Sequence, residues 1–417
     1  MSPTLATCLI AALSTAAVLA RPFGLPEAVW AVAGALLLVV LGLLPVHDAL
    51  SAVAKGGDVY LFLSGMMLLS EIARREGLFD WIAAQAARRA NGSAPRLLLL
   101  IYGVGTVVTA FLSNDATAVV LTPAVLAATK AADVKDPLPY LFACAMIANA
   151  ASFILPISNP ANLVLYASRT PALPTWLAHF ALPSLLAVVA TYAVLRLASR
   201  KSLADPISRN IEQPELPTGG RIAAGGIALT AAVLLAASSF DIALGLPTAI
   251  AGALTAIAVL ATKREAPWGV LKGVSWAVLP LVAGLFVLVE GLGHTGLIAR
   301  LAGFLHDSAA SAPQATAWAA GAAIAFGSNL VNNLPAGLVA ADVIAQAHPP
   351  QAVTDALLVG VDLGPNLSVT GSLATILWLT ALRRDGQTVG FWRFLRLGAM
   401  AMPPALLLAL AGLLLVG

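Results

Sequence analysis

Long apolar runs recur along the whole chain and limit its possible folds more than any other feature. Only 10% of the 417 residues are charged, whereas soluble domains contain about 25% charged residues. A transmembrane helix needs about 20 apolar residues, so the chain has material for about ten spans and little for a separate aqueous domain. We therefore predict an all-α polytopic membrane protein that is not an enzyme.

The charges and the cysteines argue against several other classes of protein. The formal net charge is only +3, and lysines and arginines spread over short loops are typical of topology determinants rather than of nucleic-acid binding. Cys8 and Cys144 lie in apolar runs without a disulfide or metal-ligand pattern. No positive residue precedes the apolar stretch 3–20, so we expect a retained first span. The expected environment is the lipid bilayer, with no cofactor, no metal and no nucleic acid.

The apolar runs form two sets of seven on either side of a polar segment at residues 200–220. Residues 65–71 (GMMLLSE) align with residues 284–290 (GLFVLVE), which occupy the same place in the second set. Linkers are typically rich in proline, glycine and charge, as this segment is. We predict a first repeat at 1–199, a cytoplasmic linker, and a second repeat at 221–417.

The distribution of arginine predicts that the two repeats have opposite orientations. Residues 71–96 contain five arginines, whereas the equivalent residues 290–315 contain one. Positively charged loops lie on the cytoplasmic side, which places the linker in the cytoplasm and both termini on the opposite side of the membrane. Inverted repeats are typical of secondary transporters, in which the substrate binds near the membrane midplane.

Four polar sequences interrupt the apolar runs. Those at 113–117 and 328–335 lie between arms of about 16 residues, which are too short to cross the hydrocarbon core fully and predict two re-entrant hairpins. Those at 156–162 and 362–372 contain proline and glycine, which remove helical hydrogen bonds and predict two broken helices. Unwound backbone at membrane depth is tolerated where it is buried in protein or lines a cavity.

The side chains at these interruptions are mostly amides and hydroxyls, which both donate and accept hydrogen bonds. Such groups suit a small, neutral, hydroxylated solute or a partly dehydrated cation. The alternative is that they only cap and kink packed helices, but four clusters at symmetry-related positions favour a binding site. The predicted substrate-binding residues are Asn114, Ser158, Asn159, Asn162, Asn332, Asn333, Asn366, Thr370 and Ser372.

Two carboxylates accompany the interruptions. Asp115 lies at the tip of the first hairpin and Asp362 at the second helix break, and neither has a lysine or arginine nearby in sequence. An intramembrane carboxylate costs about 3 kcal/mol on insertion scales and is by default part of an ion or proton pathway. We predict that Asp115 and Asp362 are the proton-coupling residues.

At three motifs the sequence resembles the bacterial arsenical pump membrane proteins, the arsenite and antimonite efflux permeases of the ion transporter superfamily. The motifs are residues 113–123, 331–335 and 362–378, and the resemblance spans essentially the whole chain. It implies export of trivalent arsenic as neutral arsenous acid, and of antimonite, by proton antiport with an elevator-like movement. It also implies, as partner, a soluble arsenite-stimulated ATPase in those systems that include one.

The sequence departs from the family pattern at two places and leaves other functions open. Asn366 stands where a lysine is expected, and Asn149 with Ala150 replaces an Asp-Thr pair, which favours a variant proton pathway through Asp115 and Asp362. The nearest alternative is a sodium/proton antiporter. A dicarboxylate importer is less favoured because no cationic residue lies near the polar tips, and a gated channel would show no proton coupling.

Overall fold

The computed structural model describes residues 2–166, 170–212, 214–384 and 386–416. Within these ranges the chain is helical and has no β-strand, so the predicted all-α class is confirmed. Up to the linker, the helices are α1 (Pro3–Ala20), α2 (Glu27–Val40), α3 (Val46–Lys55), α4 (Gly57–Arg75), α5 (Leu78–Arg89), α6 (Ala94–Phe111), α7 (Asn114–Ala116), α8 (Thr122–Ala131), α9 (Leu138–Ala150), α10 (Pro160–Tyr166) and α11 (Leu173–Ala198).

The second half repeats this order of elements. Its helices are α12 (Thr218–Ser239), α13 (Gly245–Lys263), α14 (Trp268–Gly273), α15 (Val278–His294), α16 (Leu297–Ser311), α17 (Pro313–Val331), α18 (Asn333–Ala347), α19 (Gln351–Leu363), α20 (Leu373–Arg384) and α21 (Phe391–Val416). Each half thus has a short helix followed by a longer one, a hairpin, a broken helix and a final helix of 26 residues. The opposite membrane orientation of the two halves stays a prediction.

Several described helices are long and apolar enough to cross a membrane. By length and composition they number six: α1, α6, α11, α12, α13 and α21. The bent pairs α3–α4 and α15–α16 raise the number to eight, and α2 and α9 are shorter apolar helices. Large apolar side chains such as Leu13, Val40 and Leu229 are more than half exposed, as expected of surfaces that face lipid. The predicted count of about ten spans stays a prediction.

The two halves pack crosswise through α2, α4, α13 and α15, which we call the crosswise core. Helix α4 packs against α13, and α2 packs against α15. Glycines allow the close approach, since a Cβ atom on Gly65 would lie 2.2 Å from the carbonyl oxygen of Thr248. A Cβ atom on Gly284 would lie 2.7 Å from the carbonyl carbon of Ala31. These two glycines are the ones that begin the aligned segments of the repeats.

The linker lies against the loops of the first hairpin. Ile207 N–H donates to the carbonyl oxygen of Gly92 at 3.1 Å, and Ser208 N–H donates to that of Ala132 at 2.8 Å. The outer ends of both hairpin arms, at α6 and α8, are therefore on the same side of the molecule as the linker. The arginine-rich segment 71–96 lies on that side at Gly92 and at Glu76, which is next to Gly219 at the end of the linker.

Each hairpin turns at a residue with positive φ that caps the returning arm. Ser113 has φ 144°, and its hydroxyl accepts a hydrogen bond from Ala116 N–H at 3.4 Å. Asn332 has φ 77°, and its amide oxygen accepts one from Leu334 N–H at 3.3 Å. Short polar residues suit both tasks, because they tolerate unusual backbone angles and satisfy the free N–H groups of a helix start.

The helix breaks lie close to the predicted positions but differ in extent. Helix α9 ends at Ala150 and α10 begins at Pro160, while α19 ends at Leu363 and α20 begins at Leu373. Asn162 therefore lies inside α10, and Asp362 lies in the last turn of α19. Proline begins a helix readily because the first turn needs no N–H donor, which explains why the helix resumes at residue 160 rather than after 162.

Candidate functional site

The first break is tied to the first hairpin by side-chain hydrogen bonds to backbone. Ser158 Oγ donates to the carbonyl oxygen of Ala110 at 3.1 Å and accepts from Leu155 N–H at 3.1 Å. Asn162 Nδ2 donates to the carbonyl oxygens of Ser152 at 2.9 Å and Leu155 at 3.3 Å. Two predicted substrate-binding residues thus satisfy backbone groups that the break leaves without helical partners.

The second break is held in the same way by the second hairpin. Asn329 Nδ2 donates to the carbonyl oxygen of Gly364 at 3.0 Å, and its Oδ1 accepts from both N–H and Oγ of Ser368 at 3.1 and 2.9 Å. Thr370 Oγ1 donates to the carbonyl oxygen of Asn329 at 2.8 Å. The amide of Asn332 lies 3.5 Å from the carbonyl oxygen of Thr370. Sequence reasoning missed Asn329, although it lies within the predicted tip 328–335.

The two breaks meet through side chains that are buried. Asn159 Nδ2 donates to Asp362 Oδ1 at 2.8 Å. Asn149 Nδ2 donates to Asn366 Oδ1 at 3.1 Å, and Asn366 Nδ2 donates to the carbonyl oxygen of Met146 at 2.9 Å. Asn159, Asp362 and Asn366 are at most 3% exposed. Three predicted residues, from both halves, are therefore brought together at one point.

Some buried oxygens at or beside the two helix breaks have no hydrogen-bond partner within the described part of the chain. They are Oδ2 of Asp362 and Oδ1 of Asn149 and Asn162. Buried polar atoms are nearly always hydrogen-bonded, so each exception calls for an explanation. A carboxylate oxygen without a donor is an acceptor for a proton or a cation, and amide oxygens accept hydrogen bonds from hydroxyl groups.

Asp115 lies at the tip of the first hairpin and is only partly buried. Its N–H donates to Asn114 Oδ1 at 2.9 Å, and within the described ranges its carboxylate has no hydrogen bond or ion pair. The short helix α7 that carries it packs against α9 and α20. The structure therefore places Asp115 beside both broken helices, with its carboxylate free, but gives no direct contact with Asp362.

Other predicted residues have mainly local partners. Ser372 Oγ accepts from Thr375 N–H at 3.1 Å, so it caps the start of α20. Asn333 N–H donates to the carbonyl oxygen of Gly371 at 2.8 Å, which joins the hairpin tip to the break. The side chain of Asn333 is buried and makes no hydrogen bond with any described residue. The roles of these residues in substrate binding stay predictions.

A second buried carboxylate, which sequence reasoning missed, lies nearer the start of α19. Asp355 accepts hydrogen bonds from the Tyr166 hydroxyl and from Gln351 Nε2, the latter at 2.6 Å. His179 Nδ1 lies 2.7 Å from Asp355 Oδ2. We call these four residues the outer cluster. The available indication was the spacing, since Asp355 and Asp362 are seven residues apart and therefore share a helix face.

A cavity of about 700 Å³ separates the hairpin-bearing part from the crosswise core. Leu163 of α10 and Leu338 of α18 line one side, and Val59 of α4 and Phe286 of α15 line the other. On that second side, Lys55 Nζ of α3 lies 2.6 Å from Glu290 Oε2 of α15. The charged residues among its described lining are one lysine and four acids: Lys55, Asp58, Asp241, Glu290 and Asp342.

Comparison with known proteins identifies the family. The citrate transporter family (CitMHS) matches residues 10–364. The arsenical pump membrane protein of Yersinia enterocolitica is 30% identical over 365 residues, which are 84% of each chain. A protein of the same name from Escherichia coli is 27% identical over 404 residues, which are 94% of each chain.

A solved structure supports the fold. The Alcanivorax borkumensis YdaH transporter, whose crystal structure reveals an unusual topology, aligns with a TM-score of 0.56 and 17% sequence identity. The alignment covers 100% of this chain and 98% of that one. At this identity the likeness concerns the fold alone. With its apolar helices and its match over most of its length, the chain belongs to the citrate transporter (CitMHS) family and is a multi-pass membrane transporter.

Proposed function

We propose that this transporter exports trivalent arsenic, as neutral arsenous acid and as antimonite, from the cytoplasm by proton antiport. The contact between Asn159 and Asp362 carries the proposal, because it joins the two helix breaks and leaves one carboxylate oxygen without a donor. Asp362 and Asp115 would carry protons, and the surrounding amides and hydroxyls would bind the hydroxyl groups of the solute. The protein would lie in the bacterial inner membrane with both termini in the periplasm.

The charges favour a neutral solute over citrate. The side chains that join the two breaks are amides and one carboxylate, and no lysine or arginine of the described chain makes a contact with them. The described lining of the cavity adds four acids against one lysine. A carboxylate-rich path disfavours a polyanion, because like charges repel strongly where water is scarce. The arsenical pump relatives support the same choice.

The packing favours an elevator-like movement. The hairpins and breaks are tied to each other by hydrogen bonds, as at Asn329 and Ser158, and would move as one body. Helices of the crosswise core are in close backbone contact at glycines such as Gly65, and would stay together as the second body. The cavity lies between these two bodies, so relative movement there would expose the site to one side of the membrane at a time.

A sodium/proton antiporter is the second candidate. Three buried oxygens without hydrogen-bond partners among the described residues lie at or beside the two helix breaks, on Asp362, Asn149 and Asn162. Hard cations prefer oxygen ligands of this kind. In this reading Asp362 would bind Na⁺ and protons in turn.

The decisive experiment uses everted membrane vesicles that contain the protein, with respiration imposing the proton gradient and no ATP added. We expect uptake of radiolabelled arsenite that an uncoupler abolishes. The variant D362N should accumulate less arsenite than the parent, whereas D307N, which neutralises an exposed carboxylate on α16, should accumulate as much as the parent. Absence of arsenite uptake by the parent, together with Na⁺-induced dissipation of the gradient, would replace arsenite export by sodium/proton exchange.

A further inference from the structure

The outer cluster brings together four polar side chains from three helices. Asp355 of α19 is 2% exposed and receives donors from Gln351 on its own helix, Tyr166 on α10 and His179 on α11. The side chain of His179 is 24% exposed, so its ring joins the buried carboxylate to the surface of the protein. An acid that is buried but joined to a partly exposed histidine can exchange a proton with the solution.

The outer cluster is in register with the meeting point of the breaks. Helices α10 and α19 pack together, with Asn159 against Asp362 near one end and Tyr166 against Asp355 near the other. The two contacts are seven residues apart on both segments. The residue number rises from 159 to 166 on one segment while it falls from 362 to 355 on the other, so the two segments are antiparallel. Seven residues of helix are about two turns, or about 10 Å. Both carboxylates of α19 therefore face α10 along one line.

Among the described residues, His179 is the side chain in contact with Asp355 that can carry a positive charge. Helices α9, α17, α18 and α21 also pack against α19. Within the described ranges, none of them contributes a charged side chain to the contacts of Asp355, whose partners are Tyr166, Gln351 and His179. Glutamine has no charge and only donates through its nitrogen. The net charge of the outer cluster therefore depends on a single histidine–carboxylate pair.

We propose that the His179–Asp355 pair is a second proton-binding site, whose charge sets the pH at which Asp362 takes up its proton. The proposal rests on the function proposed above, because it assumes that Asp362 couples protons to transport. When the ring nitrogen Nε2 of His179 takes a proton from solution, Nδ1–H keeps its hydrogen bond to Asp355. The pair then changes from one net negative charge to none, about two helical turns from Asp362.

The size of the effect follows from the spacing. Asp355 and Asp362 are about 10 Å apart along the helix. In a medium with an effective dielectric constant of about 20, a unit charge at that distance changes the proton-binding constant of Asp362 by about tenfold. Removal of the negative charge at Asp355 should make proton uptake by Asp362 less favourable. The pH of half-maximal transport should then fall by about one unit.

The test is arsenite counterflow in proteoliposomes with the same pH on both sides of the membrane. We expect D355N to have its half-maximal rate about one pH unit below the parent. H179Q keeps both the carboxylate and a donor but does not titrate, so its midpoint should not fall below that of the parent. Y166F disturbs the same cluster without changing its charge and should retain the parental midpoint.

Two results would overturn the proposal. One is a D355N midpoint equal to that of the parent, and the other is a similar downward shift in D355N, H179Q and Y166F, which would indicate a purely structural cluster. If the parent shows no arsenite counterflow, the proposed function fails, but the proton site is still testable. Infrared titration of purified protein would follow the protonated carboxyl band that D362N lacks, and its midpoint should fall in D355N without any substrate.

Discussion

Replacement of Asp362 by asparagine should separate proton coupling from folding. The carboxylate accepts one hydrogen bond, from Asn159 Nδ2 at 2.8 Å, and an amide oxygen of the same shape can accept it in D362N. The variant's Nδ2 group would stand at the position of Oδ2, which has no partner among the described residues, so D362N should cost no more than about 1–3 kcal/mol, the cost of one unsatisfied donor. D362A removes the acceptor and leaves the buried donor of Asn159 without a partner, which costs about 1–3 kcal/mol.

D362N should lower the accumulation of arsenite although the protein stays folded. Each proton exchanged for a neutral solute multiplies the accumulation ratio by about ten for every unit of pH difference, because one unit is worth about 1.4 kcal/mol. D362N should lower that ratio by about tenfold and keep downhill movement of arsenite. The assay is steady-state arsenite uptake in everted vesicles with the membrane potential collapsed by valinomycin and potassium. An unchanged ratio in D362N, at parental expression, would refute the role of Asp362.

Three further predictions concern other parts of the structure. N329A should lower the thermal unfolding temperature in detergent, because Asn329 joins the second hairpin to its break by several hydrogen bonds, whereas N333A should change it little. G65V should abolish folded expression, because its Cβ would meet backbone of α13, and G225V should express normally, since a Cβ there has open space. D115N should reduce the accumulation ratio without loss of thermal stability, because its carboxylate has no partner among the described residues; a D115N ratio equal to that of the parent would refute its role.

Local features of the fold were predictable from the sequence because their causes are local. Ser113 and Asn332 each turn a hairpin and cap its returning arm through neighbouring N–H groups. The first arm is longer than the sequence analysis expected, since α6 begins at Ala94 and has 18 residues. The Ser93 hydroxyl caps that start by accepting a hydrogen bond from Arg96 N–H. The helix therefore begins before the apolar run does.

The contacts between the halves could not be predicted from the sequence. Asn159 and Asp362 are 203 residues apart in the chain, and their pairing depends on how two separate breaks are oriented in space. The pairing of His179 with Asp355 could not be predicted either, because Asp355 lies on another helix in the other half. Spacing within α19 could have indicated that Asp355 shares a face with Asp362, but not that α10 covers that face.

The chemistry of the contacts indicates which parts of the molecule move together. Helix α10 and the residue before it are joined to α19 by hydrogen bonds at both ends, through Tyr166 and Asn159, so separation of these helices would deprive two buried acids of these donors at once. Uncompensated buried charge costs several kcal/mol, which makes such a separation unfavourable. The cavity beside α10 has mainly apolar walls and one ion pair, Lys55–Glu290, that belongs to the opposite side. Movement is therefore expected at the cavity, where few directional bonds need to break, and the two acids of α19 would travel together with the helix that pairs with them.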